Sequence, residues 1–431
     1  MQKLTGKEYL LGVQHLFAMF GATVLVPILT GFSPAVALFT AGVGTLIFHV
    51  CTGFKVPVFV GSSFAFIGAV AAAVASKGIP YAQGGIMVSG LIYLIFAAVA
   101  YSAGPDKIKK FFPPEVTGPI IIVIGIGLSG VAINDCLGGA SLAGGINMTA
   151  GTNLLIAGFT LAVVIVCMLF AKGFFKLVPI LIGIAAGYIF CMILSAAGLF
   201  SMDFKTIADA NWINIPFVST FTNSHGQTCT FLSMPKFDIG IILSIAPIAL
   251  VTFMEHIGDI TTNGAVVGKD FFKNPGLHRT LMGDGLATFV AGCLGGPANT
   301  TYSENTGVLA TTKNYNPQIL RLAAVFAIIL GLFGKFGAIL QTIPGPVKGG
   351  VELMLFGMIS SIGIRTLAES NLDFTHSRNL AIVAIILTTG LGIGAIGGIP
   401  VIIGSTMINI SGLFVATVLG VTLNVILPKK I

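Results

Sequence analysis

Apolar runs long enough to cross a bilayer follow one another along almost the whole of this chain, and its few charged residues gather in the connections. Only 9% of the 431 residues are Asp, Glu, Lys or Arg, against 55% that are hydrophobic. A water-soluble fold of this length needs a charged surface that the sequence does not possess. The chain therefore reads as an all-α polytopic membrane protein with the lipid bilayer as its solvent. Hydropathy divides it into about fourteen transmembrane segments. With the N-terminus inside and strict alternation, seventeen of the 22 Lys and Arg residues fall in inner connections. Lys77, Lys205, Lys236, Lys335 and Lys348 fall outside. A miscounted segment would have mixed the two sides, so this bias puts both termini in the cytoplasm and the protein in the cytoplasmic membrane. It also accounts for the net charge of +7, and no basic patch with interleaved aromatics marks a nucleic-acid partner. Residues 1–8 lead straight into an apolar run too long for a signal-peptide core, so no cleavable signal is expected. The six cysteines show neither metal nor redox spacing, and no metal or cofactor is expected.

The longest polar stretch, residues 201–237, separates seven segments from seven. An odd number in each half obliges the second half to insert upside down, which makes two inverted seven-segment repeats. A trace of the repeat survives in the residues. Phe112-Pro113-Pro114-Glu115-Val116-Thr117-Gly118 matches Ile343-Pro344-Gly345-Pro346-Val347-Lys348-Gly349 at Pro, Val and Gly with one offset, and each run opens the fifth segment of its half. The third segment of each half carries breakers instead of a continuous helix pattern. Val56-Pro57-Val58-Phe59-Val60-Gly61-Ser62-Ser63 does so in segment 3, and Gly295-Gly296-Pro297-Ala298-Asn299-Thr300-Thr301-Tyr302 in segment 10. Extended backbone at bilayer depth survives only when buried in protein or lining a cavity. Two short β-strands, each followed by a half-helix and meeting at the midplane, satisfy that condition and direct free N–H groups into a pocket.

Three carboxylates lie in this otherwise apolar setting: Glu255, Asp259 and Glu304. An acid at bilayer depth costs at least ~2.5–3.5 kcal/mol on insertion scales, so such acids face polar cavities and carry function. Glu255 and Asp259, four apart, share one helix face. Glu304 lies just after the breakers Gly295-Gly296-Pro297 of the interrupted segment 10, the kind of place where transporters build their sites. Ionised carboxylates only accept hydrogen bonds, so a pair of them reads two N–H groups, while helix-end amides read carbonyl oxygens. A carboxyl group removed from water, with another acid beside it, is also suited to take up and release a proton. His15 and His256 lie in apolar runs, where a satisfied core histidine is the ordinary case. Gly61 and Gly307 read as positions of close backbone approach.

Glu304-Asn305-Thr306-Gly307-Val308-Leu309-Ala310-Thr311-Thr312-Lys313 fits the pattern [Gln/Glu/Pro]-Asn-x-Gly-x4-Thr-[Arg/Lys/Gly] throughout. With Gln14-His15-Leu16-Phe17, Gly61-Ser62-Ser63-Phe64, Glu255-His256-Ile257-Gly258 and Asn299-Thr300-Thr301-Tyr302, it resembles the nucleobase–ascorbate transporters, or nucleobase–cation symporters, in their bacterial uracil permease branch. The resemblance implies a core formed by residues 1–104 and 238–340 and a gate formed by residues 105–200 and 341–431, with 201–237 as an extracellular loop. It implies proton-coupled import of uracil by alternating access and no enzymatic activity. Glu255 and Glu304 would accept from uracil N–H groups, the amides of Phe64 and Ser303 would donate to its carbonyls, and Phe64 and Tyr302 would wall the ring. Glu255, Asp259 and Glu304 would couple the proton, with His15 and Asn305 in support. Glu352, in the twelfth segment, would line the gate or pass protons. Members of the family can form homodimers through the gate. Asp259 departs from the branch, which often carries His there. Purine-transporting relatives more often carry Asp there but Gln at the position of Glu304, so a xanthine symporter stays open beside uracil. An anion carrier of the same architecture is a further alternative, disfavoured by three acids at the site.

Overall fold

The computed structural model describes residues 5–104, 107, 112–139, 147–222, 227–370, 372–403 and 406–428. Of the cations used to orient the chain, Lys3, Lys109, Lys110, Lys429 and Lys430 lie outside these residues, as do both chain ends.

The first half runs α1 (Gly6–Thr30), α2 (Pro34–Cys51), β1 (Val60–Ser62), a 3-10 turn at Phe64–Phe66, α3 (Ile67–Lys77), α4 (Ile79–Ala103), α5 (Pro114–Gly127), α6 (Ser129–Cys136), α7 (Met148–Phe170) and α8 (Pro179–Ala196). The central polar stretch holds a short helix, α9 (Lys205–Asp209), and a hairpin of β2 (Thr220–Thr222) and β3 (Thr228–Thr230). The second half runs α10 (Ile239–Ile245), α11 (Ala249–Val267), α12 (Leu277–Leu294), β4 (Asn299–Thr301), α13 (Ser303–Thr312), α14 (Pro317–Leu332), α15 (Gly334–Gln341), α16 (Gly345–Glu369), α17 (Ser377–Ala395), β5 (Ile399–Ile403), β6 (Thr406–Ile410) and α18 (Gly412–Ile426). Among the described residues, nine helical stretches are long and apolar enough to cross a membrane, and three shorter apolar helices accompany them. Large apolar side chains such as Leu155, Leu169, Phe170, Ile189 and Ile193 point outward from α7 and α8. In water such a surface would aggregate; against lipid it is the ordinary exterior.

Two sets of helices pack within themselves. In one, α12 lies along α4 and α2, and α14 along α2 and α1. In the other, α16 lies along α5, α6 and α7, while α17 packs on α5 and α18. Small residues permit the close crossings. A Cβ on Gly285 would stand 3.0 Å from the Gly90 carbonyl oxygen, so α4 and α12 approach to backbone contact there.

The two expected short strands are present and pair with each other. β1 and β4 run antiparallel, with Val60 opposite Thr301, Gly61 opposite Thr300 and Ser62 opposite Asn299. Ser63 N–H donates to the Ala298 carbonyl (2.8 Å) and Tyr302 N–H to the Phe59 carbonyl (3.0 Å), extending the ladder at both ends. All six strand residues are buried. Each strand is bracketed at its first residue by a threonine hydroxyl from the helix before it. Thr45 on α2 donates to the Val60 carbonyl (3.1 Å) and accepts from its amide (3.0 Å). Thr288 on α12 does the same for Asn299, at 2.9 Å and 3.3 Å. The helices that follow, α3 and α13, have 11 and 10 residues, about half of what a span needs. The β5–β6 hairpin was not anticipated. Its strands are rich in isoleucine, a β-branched residue, and a run of them reads as apolar membrane segment by hydropathy alone.

Candidate functional site

The site is built where the β1–β4 pair meets α11, the helix that carries Glu255 and Asp259. Pro247 interrupts the backbone ladder between α10 and α11, so the helical stretch of residues 239–267 bends before these acids. Asp259 is fastened to the end of β4. Its Oδ2 accepts from the Thr301 hydroxyl at 2.8 Å, and its Oδ1 accepts from the Ser303 hydroxyl. Glu255, one turn earlier, is half-buried, and its Oε2 is sealed from solvent with no hydrogen-bond partner. It lies within electrostatic reach of Asp259, Asp284 and Glu304. Glu304 occupies the first turn of α13, where the helix dipole favours an anion. The structure thus brings the three expected carboxylates to one place.

Two helix starts adjoin the strand pair. Phe64 opens the 3-10 turn after β1 and Ser303 opens α13, and the first amides of a helix have no acceptor within it. The Phe64 ring is 6% exposed and meets Phe356 of α16 edge-on, with centroids 5.9 Å apart. Phe356 was not singled out from the sequence, because one phenylalanine among 33 carries no distinguishing signal. Phe64 also lines a crevice of about 430 Å³ walled by Gly68, Ala69 and Ala72 on one side and Gly390 and Gly394 on the other.

The remaining expected residues brace the site. The Tyr302 hydroxyl donates to the Ser62 carbonyl (2.8 Å) and accepts from Thr23 (3.2 Å), tying β4's end to β1 and α1. Gly61 is the close approach it was read to be: a Cβ there would fall 2.6 Å from the Tyr302 ring. Gly307 is not, since it is exposed with open space beside it, on the outward face of α13. The Asn305 amide donates to His15 Nδ1 (3.1 Å) and to the His15 carbonyl (2.9 Å), joining α13 to α1. These bonds make Nδ1 the acceptor and leave the proton on Nε2. His256 is a satisfied core histidine, with Nδ1 2.9 Å from Asp284 Oδ2 and Nε2 3.0 Å from the Thr280 hydroxyl.

Asp284 itself was missed. It is completely buried on α12, a further intramembrane acid within electrostatic reach of Glu255, and it stands alone between Gly283 and Gly285 with no acid four residues away. A plain census of acids within apolar segments would have found it. Among the described residues, no three His, Cys, Asp or Glu side chains are grouped to hold a metal ion.

Residues 6–399 match the profile of a family described as the Permease family. The uracil permease of Bacillus caldolyticus is 42% identical over 426 residues, covering 99% of this chain and 93% of that protein. The uracil permease of Bacillus subtilis (strain 168) is 40% identical over 418 residues, covering 97% and 92%. Among solved structures, the transmembrane domain of the cyanobacterial bicarbonate transporter BicA superposes with a TM-score of 0.62 at 16% identity, covering 98% of this chain and 96% of that domain. Murine Solute Carrier 26 family member A9, an anion transporter in the inward-facing state, superposes with a TM-score of 0.67 at 8% identity, covering 98% and 69%. Identities so low speak of fold alone. The match over residues 6–399 and the 40–42% identity along nearly the whole length decide the membership: the chain belongs to the permease family of nucleobase–ascorbate transporters.

Proposed function

We propose that this permease imports uracil together with a proton across the cytoplasmic membrane by alternating access. The observation that carries the reading is the unpartnered, solvent-sealed Oε2 of Glu255 beside the β1–β4 pair. Uracil presents two N–H donors and two carbonyl acceptors, and this site offers a matching set. Glu255 and Glu304 take the N–H groups, the amides of Phe64 and Ser303 take the carbonyls, and Phe64 and Tyr302 flank the ring. A site made of such pairs rejects analogues that leave one of its buried groups unmatched. The relatives named uracil permeases support the same substrate. Asp259, with both oxygens bound to hydroxyls of the chain, acts beside the ligand and not on it, which favours uracil over xanthine. It serves with Glu255 and Glu304 in carrying the proton. An anion would meet these carboxylates as repulsion.

The architecture we propose is fourteen segments in two inverted repeats, with residues 1–104 and 238–340 as core and 105–200 and 341–431 as gate. The matched bracketing of Val60 by Thr45 and of Asn299 by Thr288 supports the repeat. So do the equivalent prolines that cap α5 and α16, Pro113 and Pro344. The test is uptake of radiolabelled uracil into vesicles bearing the protein, with and without a protonophore and with excess unlabelled xanthine. Uptake should vanish with the protonophore and withstand xanthine. Displacement by xanthine would overturn the uracil reading, and protonophore-resistant uptake the coupling. Glu304→Gln removes a charged acceptor worth about 1.5–3 kcal/mol and should weaken uracil binding by roughly 10- to 100-fold.

A further inference from the structure

A second group of acids lies away from the substrate site, where α6 ends and α16 begins. Gly349 of α16 is packed so tightly on α6 that a Cβ would collide with the Cys136 amide nitrogen. That approach gathers Asp135, Lys348 and Glu352. The Lys348 ammonium is 3.2 Å from Asp135 Oδ2, and both side chains are 18% exposed. Glu352, one turn further along α16, is 0% exposed. It lies within hydrogen-bonding reach of Asp135, yet neither of its oxygens has a partner, and Asp135 Oδ2 makes no directed hydrogen bond. The Cys136 thiol is buried within electrostatic reach of both acids. From α7, which packs alongside α16, come only neutral groups: Asn153, donating to the Leu137 carbonyl (2.8 Å), and Thr160, donating to the Ile156 carbonyl (2.9 Å). Among the described residues, Lys348 is the cation that faces the pair.

Two carboxylates and one ammonium leave a negative charge uncompensated where Glu352 has no access to water, a costly state. Two ionised carboxylates can only accept, so neither satisfies the other. One proton removes both faults, making one acid a donor to the other and leaving a single charge for Lys348. We propose that Asp135 and Glu352 share one proton, forming a second proton-binding site of this chain, separate from the carboxylates at the substrate site. Its position gives it a role. Lys348, Glu352 and Phe356 are spaced i, i+4 and i+8 along one face of α16, spanning about 12 Å. The partly exposed rim is at one end and the Phe64 contact at the other. Loss of the proton sets like charges across the Gly349 contact and loosens α16 from α6, moving the helix that closes over Phe64.

The test is infrared difference spectroscopy of the full-length protein in lipid, titrated from acid to alkaline pH without substrate, so that it stands apart from the uracil reading. The wild type should show the carbonyl stretch of a protonated carboxyl group disappearing with rising pH. Glu352→Gln and Asp135→Asn should each delete that band, whereas Glu304→Gln should leave it. A band of wild-type size in both gate variants would overturn the proposal. Should Glu352→Gln fail to fold, Asp135→Asn carries the same test. Uracil affinity of the folded gate variants should stay within about twofold of wild type, as for a site not shared with the ligand. A larger loss together with an unchanged band would assign these acids a structural role instead.

Discussion

At Gly61 the absence of a side chain is a requirement of packing. The Tyr302 ring and the Thr23 hydroxyl, 2.6 and 2.8 Å from where a Cβ would stand, leave no room, and the ring is itself anchored to Ser62. Gly61→Val should cost about 1–3 kcal/mol through overpacking, read as a lower thermal midpoint in detergent and a loss of substrate binding. An unchanged midpoint would mean the strands can part without penalty. Glu255 and Asp259 separate by their partners. Asp259→Ala strands the hydroxyls of Thr301 and Ser303 and should lower stability by about 1–3 kcal/mol. Glu255→Gln strands no protein donor and should lower binding and transport with little change in stability. Equal thermal losses in the two would contradict this division. The three acids were legible in the sequence because charge is rare in lipid. The hydroxyls that hold Asp259, 42 and 44 residues away, were not, since only the folded strand brings them there.

Among the elements, breakers in segments 3 and 10 announced β1 and β4, because neither Pro nor Gly suits a continuous spanning helix. The β5–β6 hairpin carries breakers as well, Gly397, Gly398 and Pro400, but they fall between two apolar segments, where a plain connection is expected. Its isoleucines satisfy strand and membrane segment alike, and periodicity cannot separate them over so short a run. How helix ends are fastened is also invisible in the sequence. Arg378, at the start of α17, reaches Glu115 of α5 (3.2 Å) and the Asn424 carbonyl of α18 (2.9 Å), with the ionic side chains only 9% and 14% exposed. Arg378→Met should therefore destabilise the protein by about 3–5 kcal/mol, since it leaves a buried carboxylate unpaired. Adding Glu115→Met should recover part of that in a double-mutant cycle, and no recovery would show that the arginine acts through α18 alone. On another element boundary, Asp238 caps α10 through the Ile241 amide (3.1 Å) and pairs with Lys77 at the end of α3. The Lys77 hydrogen bond, then the Ile241 amide, lowers the Asp238 pKa from its ordinary value. Its stabilisation is present above the unfolded Asp range near about 3.9 and is lost as pH falls through the lowered value. Asp238→Asn should flatten stability across that acid window, seen in thermal midpoints against pH.

For the molecule as a whole, the crevice beside Phe64 lies between α3 and α17, which belong to the two separately packed helix sets. If those sets move against one another in transport, a bifunctional thiol reagent joining Ala69→Cys to Gly394→Cys, in a background lacking the six native cysteines, should abolish uptake while binding in detergent persists. Full uptake after complete cross-linking would exclude that motion. The β1–β4 pairing has a different consequence, one of time. Its strands are 239 positions apart from Val60 to Asn299, so a ribosome making the chain in order delivers β1 long before any partner for it exists. Extended backbone at bilayer depth is untenable alone. The first half must therefore wait with β1 shielded by its neighbours, by water or by the insertion machinery, until residue 301 has emerged. Truncations ending before β4 should be the forms that cellular quality control removes, and co-expressed halves should regain a binding site that neither half forms by itself.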